Sequence, residues 1–360
     1  MKRREFMKLG CASAVLAAVS PQAQAALDDM AHWHGFRFTY FVDLPADGAP
    51  ARLWLPMPYG EDSLHQRTLG GVWNGKADKA GFQKMAGGGA MFYAEWQGKG
   101  PRTVTVSTIV KTAERKVELA KVQGGAAAPA EAQPYLKGSR QFPADGIVRT
   151  KAQAITKGLS GNIEKALAIY NWVVDNARFD AVGAGCLRGG ARTMLETGDL
   201  SGRSADINGL FVALCRAAGV PARLEYGIRV DESEIAKSLG AYGDVTRAQS
   251  CRAEFFVAGA GWVPADPAGV HEVIAVENIA LSDAKVAGLR TKLFGASEPN
   301  WFAFNHAEDV VLAPDAAVGA LPFFALPVAE INRKARDSSD PANFAYRIES
   351  RELVGTGVKF

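Results

Sequence analysis

The chain has 360 residues, of which 48% are hydrophobic and 22% charged, with a net charge of +3. This is the composition of an ordinary globular protein with room for two domains. Lys2, Arg3, Arg4 and Lys8 against Glu5 account for the whole excess, so the remainder is balanced and offers no basic field to nucleic acid or to an anionic membrane.

Residues 1–25 read as a signal peptide. Lys2-Arg3-Arg4-Glu5-Phe6-Met7-Lys8 has the twin-arginine form, Leu9 to Val19 is apolar, and Ala23-Gln24-Ala25 offers a small-residue cleavage site. The expected destination is the periplasm or the exterior, reached already folded. No later run approaches the length of a membrane span, so no stable membrane insertion is expected after cleavage. Cys186, Cys215 and Cys251 remain, an odd count that makes no disulfide framework. No Cys/His cluster has metal-ligand spacing, and no cofactor is expected.

Residues 27–123 read as β structure, a small sandwich of immunoglobulin type. Phe36–Val42 and Ala51–Leu55 alternate around the turn material Pro45-Ala-Asp-Gly48, and Ala90–Trp96 and Arg102–Val110 alternate around Gln97–Pro101. Trp33, Trp54 and Trp96 are read as packing residues. Residues 124–144 begin with low-complexity Gly, Ala and Pro and read as a linker. Asp145 stands where it would cap a helix over residues 146–157, and a second helix follows from Ile163 to Val174, with Ala166, Ile169, Tyr170 and Val173 on one side.

The most informative stretch runs from Gly198 to Val230. Ile207, Leu210, Phe211, Leu214 and Ala218 have the spacing of a helix with one buried face, started by Ser201 and Ser204 and stopped by Gly219 and Pro221. A strand follows over 222–230. Ser204 therefore sits at a helix N-terminus, where free N–H groups and the dipole favour a developing anion. Residues 231–248 are polar and aperiodic, a loop over the cleft. Gln249–Val257 and Trp262–Pro267 form a hairpin around Ala258-Gly-Ala-Gly261. Beyond it the chain is helix-like to about Lys292, and the tail from Trp301 to Ile348 reads as strands added to the core sheet.

Three segments together resemble the transglutaminase-like superfamily, in particular secreted bacterial members with a papain-type thiol core: Gly202-Arg-Ser204-Ala-Asp206, Leu214-Cys-Arg216-Ala-Ala-Gly219-Val-Pro221-Ala-Arg223 and Gly261-Trp262-Val-Pro264-Ala-Asp266-Pro267. The resemblance implies an α+β fold, with a papain-like core over residues 145–275 preceded by the β-sandwich domain, and residues 276–360 as a C-terminal extension packing on the core. It also aligns the family's catalytic cysteine, histidine and aspartate with Ser204, Ser250 and Asp266. Two of the three depart from the pattern, and they are the two that carry the chemistry. A serine hydroxyl needs a base to take its proton, and Ser250 cannot be one. Losing nucleophile or base in a serine protease costs about 10⁶ in kcat, roughly 8 kcal/mol.

Possible stand-ins are weak. Cys215 lies about 16 Å further along the helix at ~1.5 Å per residue, and Cys251, next to Ser250 on a strand, points to the opposite face. Cys186 lies on a loop ahead of the helix; His271 and His306 could line the cleft. The reading that follows is an exported, catalytically degenerate protein whose cleft holds a peptide, a protein or a cell-envelope component. The alternative is an active acyltransferase, amidase or peptidase working through Ser204 or a displaced cysteine.

Overall fold

The computed structural model describes residues 33–353 except 59, 61–62, 86–87, 123–127, 181–189 and 340–343. Residues 1–25, read above as a signal peptide, and Cys186 lie outside the described residues. From His34 onward the chain forms one unit, and its fold is α+β.

Strand-forming sequence fills residues 33–113: β1 (Trp33–Leu44), β2 (Ala51–Met57), β3 (Gln66–Gly75), β4 (Lys79–Lys84), β5 (Ala90–Trp96) and β6 (Arg102–Ala113). In β6 the period-two pattern turns Val104, Val106 and Val110 inward while Thr103 stays exposed. Helices then dominate: α1 (Gly146–Ile155), α2 (Asn162–Asn176), α3 (Gly190–Thr197) and α4 (Ser204–Ala217). The core sheet takes β7 (Ala222–Arg229), β8 (Gln249–Val257) and β9 (Gly261–Ala265), followed by α5 (Pro267–Glu277), α6 (Ala284–Lys292) and β10 (Trp301–Asn305). The chain closes with β11 (Val328–Ile331), β12 (Lys334–Arg336) and β13 (Ala345–Glu352). No helix among the described residues is long and apolar enough to cross a membrane.

The core sheet has the order β9-β8-β7-β10 and is antiparallel, with Arg223 opposite Glu254 and Phe255 opposite Val263. Helix α4 packs against β7 and β8 on one side and against α1, α2, α3 and α5 on the others. Every residue from Ala205 to Arg216 is buried, so α4 is the central helix, covered all round instead of on the single face its apolar spacing suggests. It ends at Gly219, whose φ of +79° lies in the left-handed region open to glycine.

Two five-stranded sheets flank this core, in the orders Gly243–Asp244, β13, β1, β6, β3 and β12, β11, β2, β5, β4. They share one apolar core, in which Phe36, Phe38, Leu53 and Phe92 are fully buried, and the Tyr40 hydroxyl of one donates to the Pro56 carbonyl of the other at 2.8 Å. The two sequence-adjacent strand pairs are therefore crossovers between sheets, not hairpins. The tail also differs from the expectation that it extends the core sheet. Only β10 does so, against β7, whereas β13 pairs with β1 and β11 with β2. Asp145 stands at the N-cap of α1, but its carboxylate accepts from Arg192 and makes no cap bond. Past the first residues of the 124–144 stretch, Phe142 is fully buried and Lys137 O accepts from Arg216 Nη1 at 3.2 Å, so this part of the segment lies on α4.

Candidate functional site

Ser204 is the first residue of α4 because the chain enters extended at Arg203 and turns there. The Asp206 carboxylate accepts the Arg203 N–H at 3.0 Å and Arg203 O accepts the Ile207 N–H at 3.0 Å, which fixes the first turn. Ser204 Oγ accepts the N–H of Cys251 on β8 at 3.2 Å. One turn further on, Asn208 is fully buried. Its Nδ2 donates to Cys251 O and to Asp266 Oδ1, each at 2.9 Å, and its Oδ1 accepts the Ala268 N–H at 3.0 Å. A single amide thus joins α4, β8 and the start of α5. Sequence reasoning passed over Asn208; the signal was a polar residue four positions after Ser204 inside an apolar helix. Asp266 also caps α5, accepting the Gly269 N–H at 2.9 Å.

Ser250 lies buried beside this array. Its Oγ accepts the indole N–H of Trp301 at 3.0 Å. The indole reaches it by lying over Gly227, where a Cβ would stand 2.4 Å from the ring and 2.1 Å from Phe302 O. Glycine is required there by close approach, and the β7–β10 register shifts at the same point. Arg252 sits over the other end of Trp301, 4.9 Å from the ring centre, donating to Glu298 O at 3.2 Å and to Asn300 Oδ1 at 3.0 Å. Burial pushes its guanidinium down to about 10, with the Asp266 charge opposing the fall. Between Ser250 and Asp266 lies a cavity of about 20 Å³, lined also by Arg229 and Arg252. It has room for a water, not for an imidazole.

On the other side, Ser204, Ser250 and Cys251 share the wall of an open groove of about 390 Å³. The rest of its lining comes from Arg203, Ala205, Thr246, Arg247 and Gln249 and from the tail residues Phe323, Ala325, Leu326, Ser338, Ser339, Phe344 and Tyr346. No histidine lines it among the described residues. His271 is buried, with its ring nitrogen 3.4 Å from Val173 O on α2. His306 packs edge-on against Tyr135, its ring centre 5.7 Å away, and burial lowers it to about 4. Cys215 is buried and its thiol is pushed well up by that burial. Strand alternation does not remove Cys251 from the site: it borders the groove, though it is only 7% exposed.

A cluster of strongly shifted groups lies elsewhere, around Glu254 on β8. Its carboxylate accepts from Arg223 Nε at 2.7 Å and from Arg115 Nη1. Burial pushes it up, but the charges of Arg223 and Arg115 outweigh that and hold it well below the usual range. Its neighbour Glu225 is raised to about 7 by burial and by the Glu254 charge. His65, 3.5 Å from Arg115, is lowered to about 4, first by burial and then by the Arg115 charge.

Residues 149–267 match the family model described as the transglutaminase-like superfamily, a span that contains Ser204, Ser250 and Asp266. An uncharacterized protein of Haemophilus influenzae is 32% identical over 373 residues, covering 96% of this chain and all of that one. A crystal structure of a candidate cysteine protease from Cytophaga hutchinsonii is 14% identical and covers 89% of this chain and 91% of its own, with a TM-score of 0.52. The periplasmic domain of TgpA from Pseudomonas aeruginosa, also 14% identical, covers 71% of this chain and 92% of its own, with a TM-score of 0.33.

Proposed function

Because the chain belongs to the transglutaminase-like superfamily, we propose that it is an exported, catalytically degenerate member that uses the groove beside Ser204 to bind a peptide or cell-envelope ligand. Ser204 and Ser250 stand in for the nucleophile and base, and Asp266 is the remaining acid of the triad. The observation that carries this reading is the groove of about 390 Å³ with both serines on its wall and no imidazole among its described lining. That volume falls within the ~300–1,000 Å³ typical of ligand clefts.

The chemistry agrees. A serine at a helix N-terminus has a site ready for a developing anion, but among the described residues no imidazole lines the groove beside Ser204 to take its proton. Ser250 Oγ is occupied by the Trp301 indole and Asp266 by Asn208 and Gly269. Without a base, roughly 8 kcal/mol of barrier lowering is forgone.

The test is turnover by the purified mature protein. Amine incorporation into a glutamine-containing protein and hydrolysis of peptide substrates should both stay at background. Turnover that Ser204→Ala abolishes overturns the reading. Cys251, at the groove edge, favours the one active alternative, acyl transfer through a displaced thiol; turnover lost in Cys251→Ser but kept in Ser204→Ala selects it. The twin-arginine segment supports export by that route, which a strain lacking the twin-arginine translocase tests: the mature form should be absent from its periplasm.

A further inference from the structure

We propose that the groove selects a peptide segment carrying a carboxylate next to an apolar side chain. This rests on the binding reading above and adds the ligand's chemistry. Two arginines, Arg203 and Arg247, are on the groove wall, and no Asp or Glu is among its described lining. Arg247 forms no ion pair with a carboxylate among the described residues, and it is exposed at the groove. Asp337, adjacent in sequence to the lining residue Ser338, is turned to its own loop, accepting from Ser339 N at 2.8 Å and Ser339 Oγ at 2.7 Å. The N-terminus of the 14-residue helix α4 opens into the same space, adding partial positive charge where Ser204 sits.

The tail supplies the apolar part of the lining with Phe323, Leu326 and Phe344. Phe323 is held by stacking on Tyr226 with ring centres 5.2 Å apart, and Phe344 packs on Tyr346 at 5.3 Å. The groove therefore offers positive charge for an anion and apolar surface for an aliphatic or aromatic side chain. The volume of about 390 Å³ admits a short peptide stretch and no folded domain.

The experiment uses the mature protein and the N-acetylated tetrapeptide Gly-Phe-Leu-Glu, read by isothermal titration calorimetry. Three relatives separate the source of the carboxylate: the C-terminal amide, the Gln analogue of the last residue, and the peptide lacking both charges. The fully neutral peptide should bind on the order of ten-fold or more weakly, the scale of a charge-assisted hydrogen bond. Arg247→Gln should erase that difference, and Arg247→Glu should invert it, with unchanged melting temperatures because Arg247 is exposed. Equal binding of charged and neutral peptides overturns this inference while leaving a peptide-binding groove in place. No binding of any of the four at millimolar concentration overturns both the inference and the reading under it.

Discussion

The groove at Ser204 and the charged array around Glu254 share strand β8 and differ in nearly every physical respect. The groove is open, lined by hydroxyls, aromatic rings and two arginines. Around Glu254, ionised groups are packed until almost none meets water: Glu254 is 1% exposed. Perturbed titration usually marks a functional site, and by that criterion alone the Glu254 array would be chosen. It has no cleft to match. The cavity beside it that holds His65, Glu225 and Arg252 is only about 20 Å³. Here the shifted groups hold strands together, whereas the open groove is lined by few titratable side chains.

The comparison breaks first at Glu254. Replacing it by Gln leaves Arg115 and Arg223 buried without their counter-charge, and loss of one partner from a buried pair costs roughly 3–5 kcal/mol. Urea denaturation should show that loss, with peptide binding by the surviving folded fraction unchanged. A loss under about 1 kcal/mol would mean that the array behaves like a surface ion pair and that its burial has been misjudged.

Glu225 sharpens the same contrast through pH. Its folded value is raised from 4.5 to about 7, so the folded state holds the proton more tightly than the unfolded chain does. The stability this contributes is fully present below about 4.5 and is lost as pH rises through about 7. Glu225→Gln, which keeps the neutral form at every pH, should therefore gain stability relative to the parent between those two values and hold that gain above them. His65 works in the opposite direction. Lowered from 6.5 to about 4, it contributes stability at neutral pH that is lost as pH falls through that range. A difference curve between Glu225→Gln and parent that stays flat from pH 4 to 8 would assign no such role to Glu225.

On the groove side, Ser204→Cys with Ser250→His asks whether the triad frame survives. With Cys186 and Cys251 changed to Ser, iodoacetamide rate against pH reports the new thiol. The single Ser204→Cys should titrate somewhat below a free thiol's ~8.5 from the helix terminus alone, and the pair about one unit lower still through the added imidazole. The new ring has to lie in the groove, because the cavity behind Ser250 is about 20 Å³. If the pair titrates like the single variant, Ser250 is not positioned for a base.

What could be read from the chain beforehand followed the range of the signals. Helix α4 and the β8–β9 hairpin are marked by neighbours in sequence: Ser204 and Gly219 at the helix ends, alternation and glycine in the hairpin. The motifs that carry the family resemblance lie within such segments, and it is the resemblance that aligns Ser204, Ser250 and Asp266 with a triad. Sheet membership was not legible, because β1 meets β13 and β2 meets β11 across most of the chain, and such pairing leaves no local pattern. The tail's share of the groove lining was hidden for the same reason: Phe323, Leu326 and Phe344 are distant in sequence from Ser204 and Ser250. The burial of α4 on every side was not legible either, because Asn208 and Arg216 are buried with partners far along the chain, Asp266 and Glu308.

The smallest expected effect lies where the two regions meet, at Trp301. Its indole N–H occupies Ser250 Oγ and its ring carries Arg252, so it separates the groove from the charged interior. Trp301→Phe removes the N–H and keeps much of the apolar bulk. It should cost about 1 kcal/mol, the net worth of one buried hydrogen bond, plus a contribution from the Arg252 contact that is smaller because Glu298 O and Asn300 also hold that guanidinium. Denaturant midpoint reads the first quantity. The second readout is the Ser204→Cys, Ser250→His background: with the indole N–H gone, the imidazole loses a competing donor, and the thiol should titrate lower than in the same pair with Trp301 intact. An unchanged thiol pKa there would mean that Trp301 only fills space beside Ser250 and does not govern how that side chain is used.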